Sequence, residues 1–204
     1  MPTQYPLIIS FYTQDWQYPK LANALRQNCE ELGLKHHIKE MTSTGDYVQN
    51  TSLKSRFIFE TLTTFKEPIL WIDCDGSLLD LPTLLDRPLV TQFDLAARRH
   101  LRPKFRTWGV GTLWFNYTPV AVDFVGAWRD MVGEGTDEHA FEETWKNFAT
   151  QLKVYELPDS YFHLLYKEWD EPPPGTVIAH RLSKSPDKMR RKYPNDPQWG
   201  GDPQ

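Results

Sequence analysis

Apolar positions change period along the chain. Residues 6–12 (PLIISFY) form a short β-rich run, after which Leu21, Leu25, Cys29 and Leu32 recur at helical spacing up to Gly33. This predicts a strand followed by a helix over 18–34. Residues 35–41 read as a second strand, and Leu53, Phe57, Ile58, Leu62 and Phe65 mark a second helix over 52–65. Residues 68–72 (PILWI) are apolar throughout, as in a strand buried on both faces. The order β-α-β-α-β predicts an α/β domain with a mainly parallel sheet. Beyond it, strands are expected at 93–97 and 110–115, helices at 119–132 and 137–152, and short strands at 154–157 and 176–179 around Pro172, Pro173 and Pro174. From Ser183 onward prolines and charges predict an extended tail.

Composition narrows the class. The chain has 204 residues with 40% hydrophobic and 14% aromatic content, enough for one well-filled core and too apolar for disorder. No apolar run approaches the roughly 20 residues needed to span a bilayer, and residues 1–10 lack a basic flank and a long apolar stretch. A cytoplasmic location is expected. Two cysteines, Cys29 and Cys74, make no disulfide framework and are expected to be reduced. The net charge is −4, which excludes a strongly basic nucleic-acid-binding domain. Charge is nevertheless uneven: Arg98, Arg99, Arg102, Lys104 and Arg106 cluster, as do Arg181, Lys184, Lys188, Arg190, Arg191 and Lys192, while Asp137, Glu138, Glu142 and Glu143 form an acidic group.

The chemistry concentrates at residues 69–80, ILWIDCDGSLLD. Asp73 and Asp75 are two apart at the end of a strand, so both carboxylates point to one side where the chain leaves the sheet. Two hard oxygen donors there suit Mg²⁺ or Mn²⁺, whose other ligands come from phosphates and water. The segment Asp73-Cys74-Asp75-Gly76-Ser77-Leu78 resembles the D-x-D-G-T-L motif of haloacid dehalogenase-like phosphatases, which implies a nucleophilic first Asp. In that family the motif opens the fold, and a later apolar strand ends in paired acids. Here β/α structure precedes the motif, and Asp137-Glu138 follows Gly133-Glu134-Gly135-Thr136.

Over about residues 6–184 the chain resembles metal-dependent GT-A-fold glycosyltransferases, the nucleotide-diphospho-sugar transferases. The resemblance implies a single Rossmann-like α/β domain over 1–182, with a mixed, mainly parallel sheet flanked by helices. Its nucleotide-binding half is 1–75, its donor-sugar and acceptor half 76–182, and a Pro-rich basic tail covers 183–204. It implies that Asp73 and Asp75 are the D-x-D meeting metal, diphosphate and ribose. Phe11, Tyr12 and Thr13 fall where the family seats its base, Tyr12 as a stacking ring. Lys54 stands on the preceding helix where many such enzymes place a residue that reaches the donor.

Downstream, residues 93–97 (FDLAA) resemble the strand whose acid, here Asp94, meets the donor sugar, and residues 109–116 (GVGTLWFN) resemble the strand after it. Asp137 and Glu138 open the helix under the acceptor, where an acid takes the acceptor proton or steadies developing oxocarbenium charge. His180 is implied as a third metal ligand and Lys184 as a diphosphate contact. The resemblance thus implies Mn²⁺- or Mg²⁺-dependent transfer from a nucleoside-diphosphate sugar, UDP-sugar favoured, to a hydroxyl of a glycan, a glycoconjugate or a hydroxylated DNA base. A phosphatase, or a module that binds nucleotide sugar without turnover, are the alternatives. Trp108 and Trp114 are expected in the core rather than as sugar platforms.

Overall fold

The computed structural model describes residues 5–86, 92–99, 107–131, 135–167, 169–181 and 184–193. The first apolar run becomes β1 (Leu7–Tyr12), and the periodic segments become α1 (Tyr18–Glu31) and α2 (Tyr47–Phe65), separated by β2 (His36–Glu40). The buried run is β3 (Ile69–Ile72), followed by β4 (Gly76–Leu78), β5 (Leu95–Arg99) and β6 (Trp108–Phe115). Next come α3 (Pro119–Asp130), α4 (Asp137–Phe148), β7 (Val154–Glu156), β8 (His163–Leu165), β9 (Ile178–Arg181) and α5 (Pro186–Lys192).

The central sheet has the order β2-β1-β3-β6-β5-β7. Strands β2, β1 and β3 run parallel, as do β5 and β7, whereas β6 is antiparallel to both of its neighbours. The mixed, mainly parallel sheet expected from the sequence is therefore present. Alternation along each strand divides the core in two. Leu7, Ile9, Ile69, Trp71, Leu113 and Phe115 face α2, α3 and α4 through Phe57, Leu62, Phe124, Trp128 and Phe141. Ile8, Leu70, Ile72 and Trp114 face α1 and the smaller sheet through Leu25, Cys29, Leu78 and Ile178. Both cysteines are free thiols. Trp108 and Trp114 are buried, as expected.

Several boundaries differ from the sequence reading, each for a local reason. Helix α2 begins at Tyr47 rather than 52 because the Asp46 carboxylate caps it, accepting the Gln49 N–H at 2.8 Å. A second sheet, β4-β9-β8, was not expected, since strands of three or four residues leave almost no periodic signal. The tail expected to be extended contains α5, with Pro186 in its first turn. Residues 102, 104 and 106 of the first basic cluster, and the tail beyond 193, lie outside the described residues.

Strand β4 explains how the Asp pair is held. The Gly76 N–H donates to the Asp73 carbonyl at 2.7 Å, and β4 then pairs with β9, Gly76 opposite His180. A Cβ at Gly76 would lie 2.6 Å from Ile72 Cγ2 and 3.0 Å from the Asp73 oxygen. Only glycine lets the chain fold back this closely behind the carboxylates. No helix among the described residues is long and apolar enough to cross a membrane.

Candidate active site

The parallel strands β1 and β3 end at the same edge of the sheet, and a cavity of about 580 Å³ opens there. In open α/β sheets this carboxyl edge is where ligands bind. Phe11, Tyr12 and Thr13 at the end of β1 line it, as do Asp73, Cys74 and Asp75 after β3. Lys54 of α2 and Asp137 and Glu138 at the start of α4 complete the inner wall. Eight of the residues expected from the sequence are thus gathered in one place, from positions as far apart as Phe11 and Glu138.

Lys54 holds the middle of the wall. Its ammonium lies 2.8 Å from Asp73 Oδ1 and 2.5 Å from Asp137 Oδ2, and donates to the Val110 carbonyl at 3.3 Å. The Trp71 ring stands 5.4 Å away, and its indole N–H donates to the same Asp73 oxygen at 2.8 Å. The lysine side chain is 7% exposed, so it is a buried cation and no surface arm. Burial alone would lower its pKa, but the carboxylates of Asp137 and Asp73 outweigh burial and raise it above the ordinary lysine value. The charged form is therefore locked in, tying α2, β3, β6 and α4 together.

Three expected residues stand elsewhere. Asp94 does not line the cavity: one carboxylate oxygen accepts from Thr118 Oγ1 at 2.7 Å and the other from the Lys153 N–H at 2.9 Å. Register explains this, because Leu95 and Ile69 both pair with Phe115. Asp94 therefore sits level with the start of β3, at the end of the sheet opposite Asp73. Lys184 is exposed and outside the lining, which begins at Ser185. His180 is 4% exposed, with its ring 4.6 Å from that of Phe162 and its Nε2 sharing a 2.7 Å hydrogen bond with Thr112 Oγ1. Among the described residues no cluster of three or more His, Cys, Asp or Glu could hold a metal ion.

His180 carries a pH prediction. Burial is the main cause that holds it at about 4; Asp73 pulls it upward and Lys54 lowers it further. An imidazole in the unfolded chain titrates near 6.5, so only the unfolded state takes up the proton between these values. Stability from this residue is complete above pH 6.5 and is lost as pH falls toward 4, by about 3 kcal/mol in the limit. Denaturant midpoints measured from pH 7 to pH 4 should fall more steeply for the wild type than for His180→Gln. Equal slopes would remove the assignment.

The sequence reading missed the outer wall. Ser185, Pro186, Asp187, Lys188 and Arg190 of the C-terminal segment line the cavity, as do Trp16 and Tyr18. Trp16 has a left-handed backbone, φ 51°, and stays 39% exposed with its ring edge-to-face against Tyr18 at 5.4 Å. No periodicity marks a loop tryptophan, and the lysine and arginine of α5 read simply as part of a solvated run. Their basic character was the only available signal.

A six-stranded mixed sheet with helices on both faces and a second small sheet behind is a GT-A-like glycosyltransferase fold. The solved structures it resembles are those of glycosyltransferases. One is a glycosyltransferase involved in the glycosylation of the major capsid of PBCV-1, with a TM-score of 0.62 and 11% identity over 91% of this chain and 100% of that one. Another is the apo form of the glycosyltransferase GlyE of Streptococcus pneumoniae TIGR4, with a TM-score of 0.60 and 15% identity, covering 95% of this chain and 61% of that one. Mouse xyloside xylosyltransferase 1 superposes with a TM-score of 0.53 and 9% identity, over 89% of this chain and 99% of that one. At such identities the likeness is one of fold. No family model and no curated protein matches the chain.

Proposed function

We propose that the protein is a glycosyltransferase that takes a sugar from a nucleoside diphosphate, with UDP-sugar the favoured donor, and passes it to an acceptor hydroxyl. The observation that carries the reading is the cavity itself. Its lining gathers Asp73, Asp75, Asp137 and Glu138 together with the cations Lys188 and Arg190. A diphosphate binds to cations such as Lys188 and Arg190, and carboxylates beside it are compatible with its charge through a bridging divalent cation.

The donor set suits a hard divalent cation. Asp73 and Asp75 offer carboxylate oxygens only, and Mg²⁺ or Mn²⁺ is commonly held by one or two carboxylates with phosphates and water completing the shell. His180, committed to Thr112, is left out of this set. When bound, the ion supplies positive charge that stabilises the departing diphosphate. The chain's own groups do the rest. Tyr12 and Trp16 flank the entrance where a base would stack. Lys188 and Arg190 take the diphosphate role that the resemblance implied for Lys184, and the Ser185 hydroxyl beside them is buried with no hydrogen-bond partner among the described residues. Asp137, fixed by Lys54, orients the first turn of α4, and Glu138 next to it receives the acceptor proton or steadies the developing charge.

The reading predicts that UDP raises the melting temperature only when Mn²⁺ or Mg²⁺ is present, since a ligand that binds only the native state stabilises it. Changing Lys188 and Arg190 together to alanine should weaken UDP binding roughly tenfold or more, as charge-assisted contacts to phosphate are lost. Lys184→Ala should change it less than twofold. No shift with any nucleoside diphosphate would overturn the proposal; binding without donor turnover would favour a non-catalytic module. The phosphatase alternative gains no support from the fold, because the acid pair follows the third strand rather than the first.

A further inference from the structure

Past the end of β8 the chain exposes two aromatic rings. Tyr166 is 59% and Trp169 77% exposed, the two most exposed large hydrophobic side chains among the described residues. Side chains hold the backbone on either side of residue 168. The Asp170 carboxylate accepts the N–H groups of Tyr166 and Lys167 at 3.0 and 2.8 Å. The Arg181 guanidinium donates to the carbonyls of Lys167 and Asp170 at 3.1 and 3.2 Å. Arg181 is also the residue whose N–H donates to the Asp75 carbonyl at 3.3 Å. Arg181 therefore ties the backbone at Lys167 and Asp170 to that of Asp75, and β8, which leads into Tyr166, pairs with β9 at Arg181.

From this geometry we infer that Tyr166 and Trp169 form the acceptor platform, binding a neutral pyranose ring of a carbohydrate acceptor next to the donor site. The inference rests on the glycosyltransferase reading above. A flat indole matches the apolar face of a sugar ring, and the Lys167 ammonium, 5.6 Å from the Trp169 ring centre, lies within reach of hydroxyls at its rim. Size argues against a protein partner. Large aromatic side chains offer about 150–250 Å² each, so two partly exposed ones present roughly 300 Å², far below the roughly 800 Å² per partner of a stable protein interface. Charge argues against a DNA backbone, because the Arg181 guanidinium is spent on the loop carbonyls and Lys167 alone cannot track successive phosphates.

The test is a glycan array of neutral oligosaccharides probed with the full chain in the presence of UDP and Mn²⁺. The wild type should bind at least one pyranosyl class, Trp169→Ala should lose at least tenfold, and Trp169→Phe should keep most of the binding. The UDP-dependent melting shift should be the same in all three proteins, because none of the changes touches the donor cavity. No glycan binding by the wild type, unchanged binding by Trp169→Ala, or a change of oligomeric state in that variant would overturn the platform. Loss of the UDP shift in the wild type, with Trp169-dependent glycan binding intact, would instead overturn the donor reading.

Discussion

Lys54→Met should cost about 3–5 kcal/mol of folding stability, because it takes the balancing positive charge out of a buried ionic network. The methionine fills nearly the same volume, so packing against Trp71 is largely kept. What is lost is the ammonium that bridges Asp73 and Asp137, the latter 6% exposed and directly facing it. Surface pairs such as Arg56 with Glu60 are worth at most about 1 kcal/mol and offer the internal comparison. Equilibrium unfolding in urea measures both. A double change, Lys54→Met with Asp137→Asn, should recover part of the loss, since the amide is neutral where the carboxylate was charged. A loss below about 1 kcal/mol for Lys54→Met would show that the triad is solvated.

Asp73→Asn should lower transfer by two to three orders of magnitude while the fold survives. The amide keeps an oxygen for the Trp71 N–H, which now reaches Asp73 Oδ1 at 2.8 Å, and Lys54 keeps Asp137. Stability should fall by no more than about 1–2 kcal/mol, the value of a charge-assisted bond exchanged for a neutral one. Charge at the diphosphate is what disappears. Turnover measured against Mn²⁺ concentration, together with melting temperature, separates the two effects. Full turnover with an intact fold would remove Asp73 from the site, and loss of fold would recast it as a structural partner of Lys54.

The difference between Asp73 and Asp94 shows what was legible in the chain. Both follow or precede strongly apolar strands, and both match a family motif. Only strand direction separates them. Because β6 is antiparallel to β3 and β5 alike, Leu95 falls level with Ile69, and Asp94 is carried to the far end of the sheet where Thr118 and Lys153 claim it. Ladder direction is a nonlocal property with no trace in local spacing. Lys54 was legible as a position and illegible as a role, since a lysine between serine and leucine on a helix reads as a surface residue until Asp73 and Asp137 are brought to it.

The sequence by itself determined the alternation of elements through β3 and the two-faced burial of the ILWI strand, because these depend on hydrophobic period. Asp73 and Asp75 both line the cavity, held by the turn that the Gly76 N–H closes on the Asp73 carbonyl and not by a strand repeat. Tertiary structure alone decided which charges meet. It folded α5 over the cavity, so that Lys188 and Arg190 line it while Lys184 does not, and it joined the backbone of Lys167 and Asp170 to that of Asp75 through Arg181. Those pairings join residues far apart in the chain, and their energies depend on burial and distance, quantities that exist only once the sheet has closed on its helices.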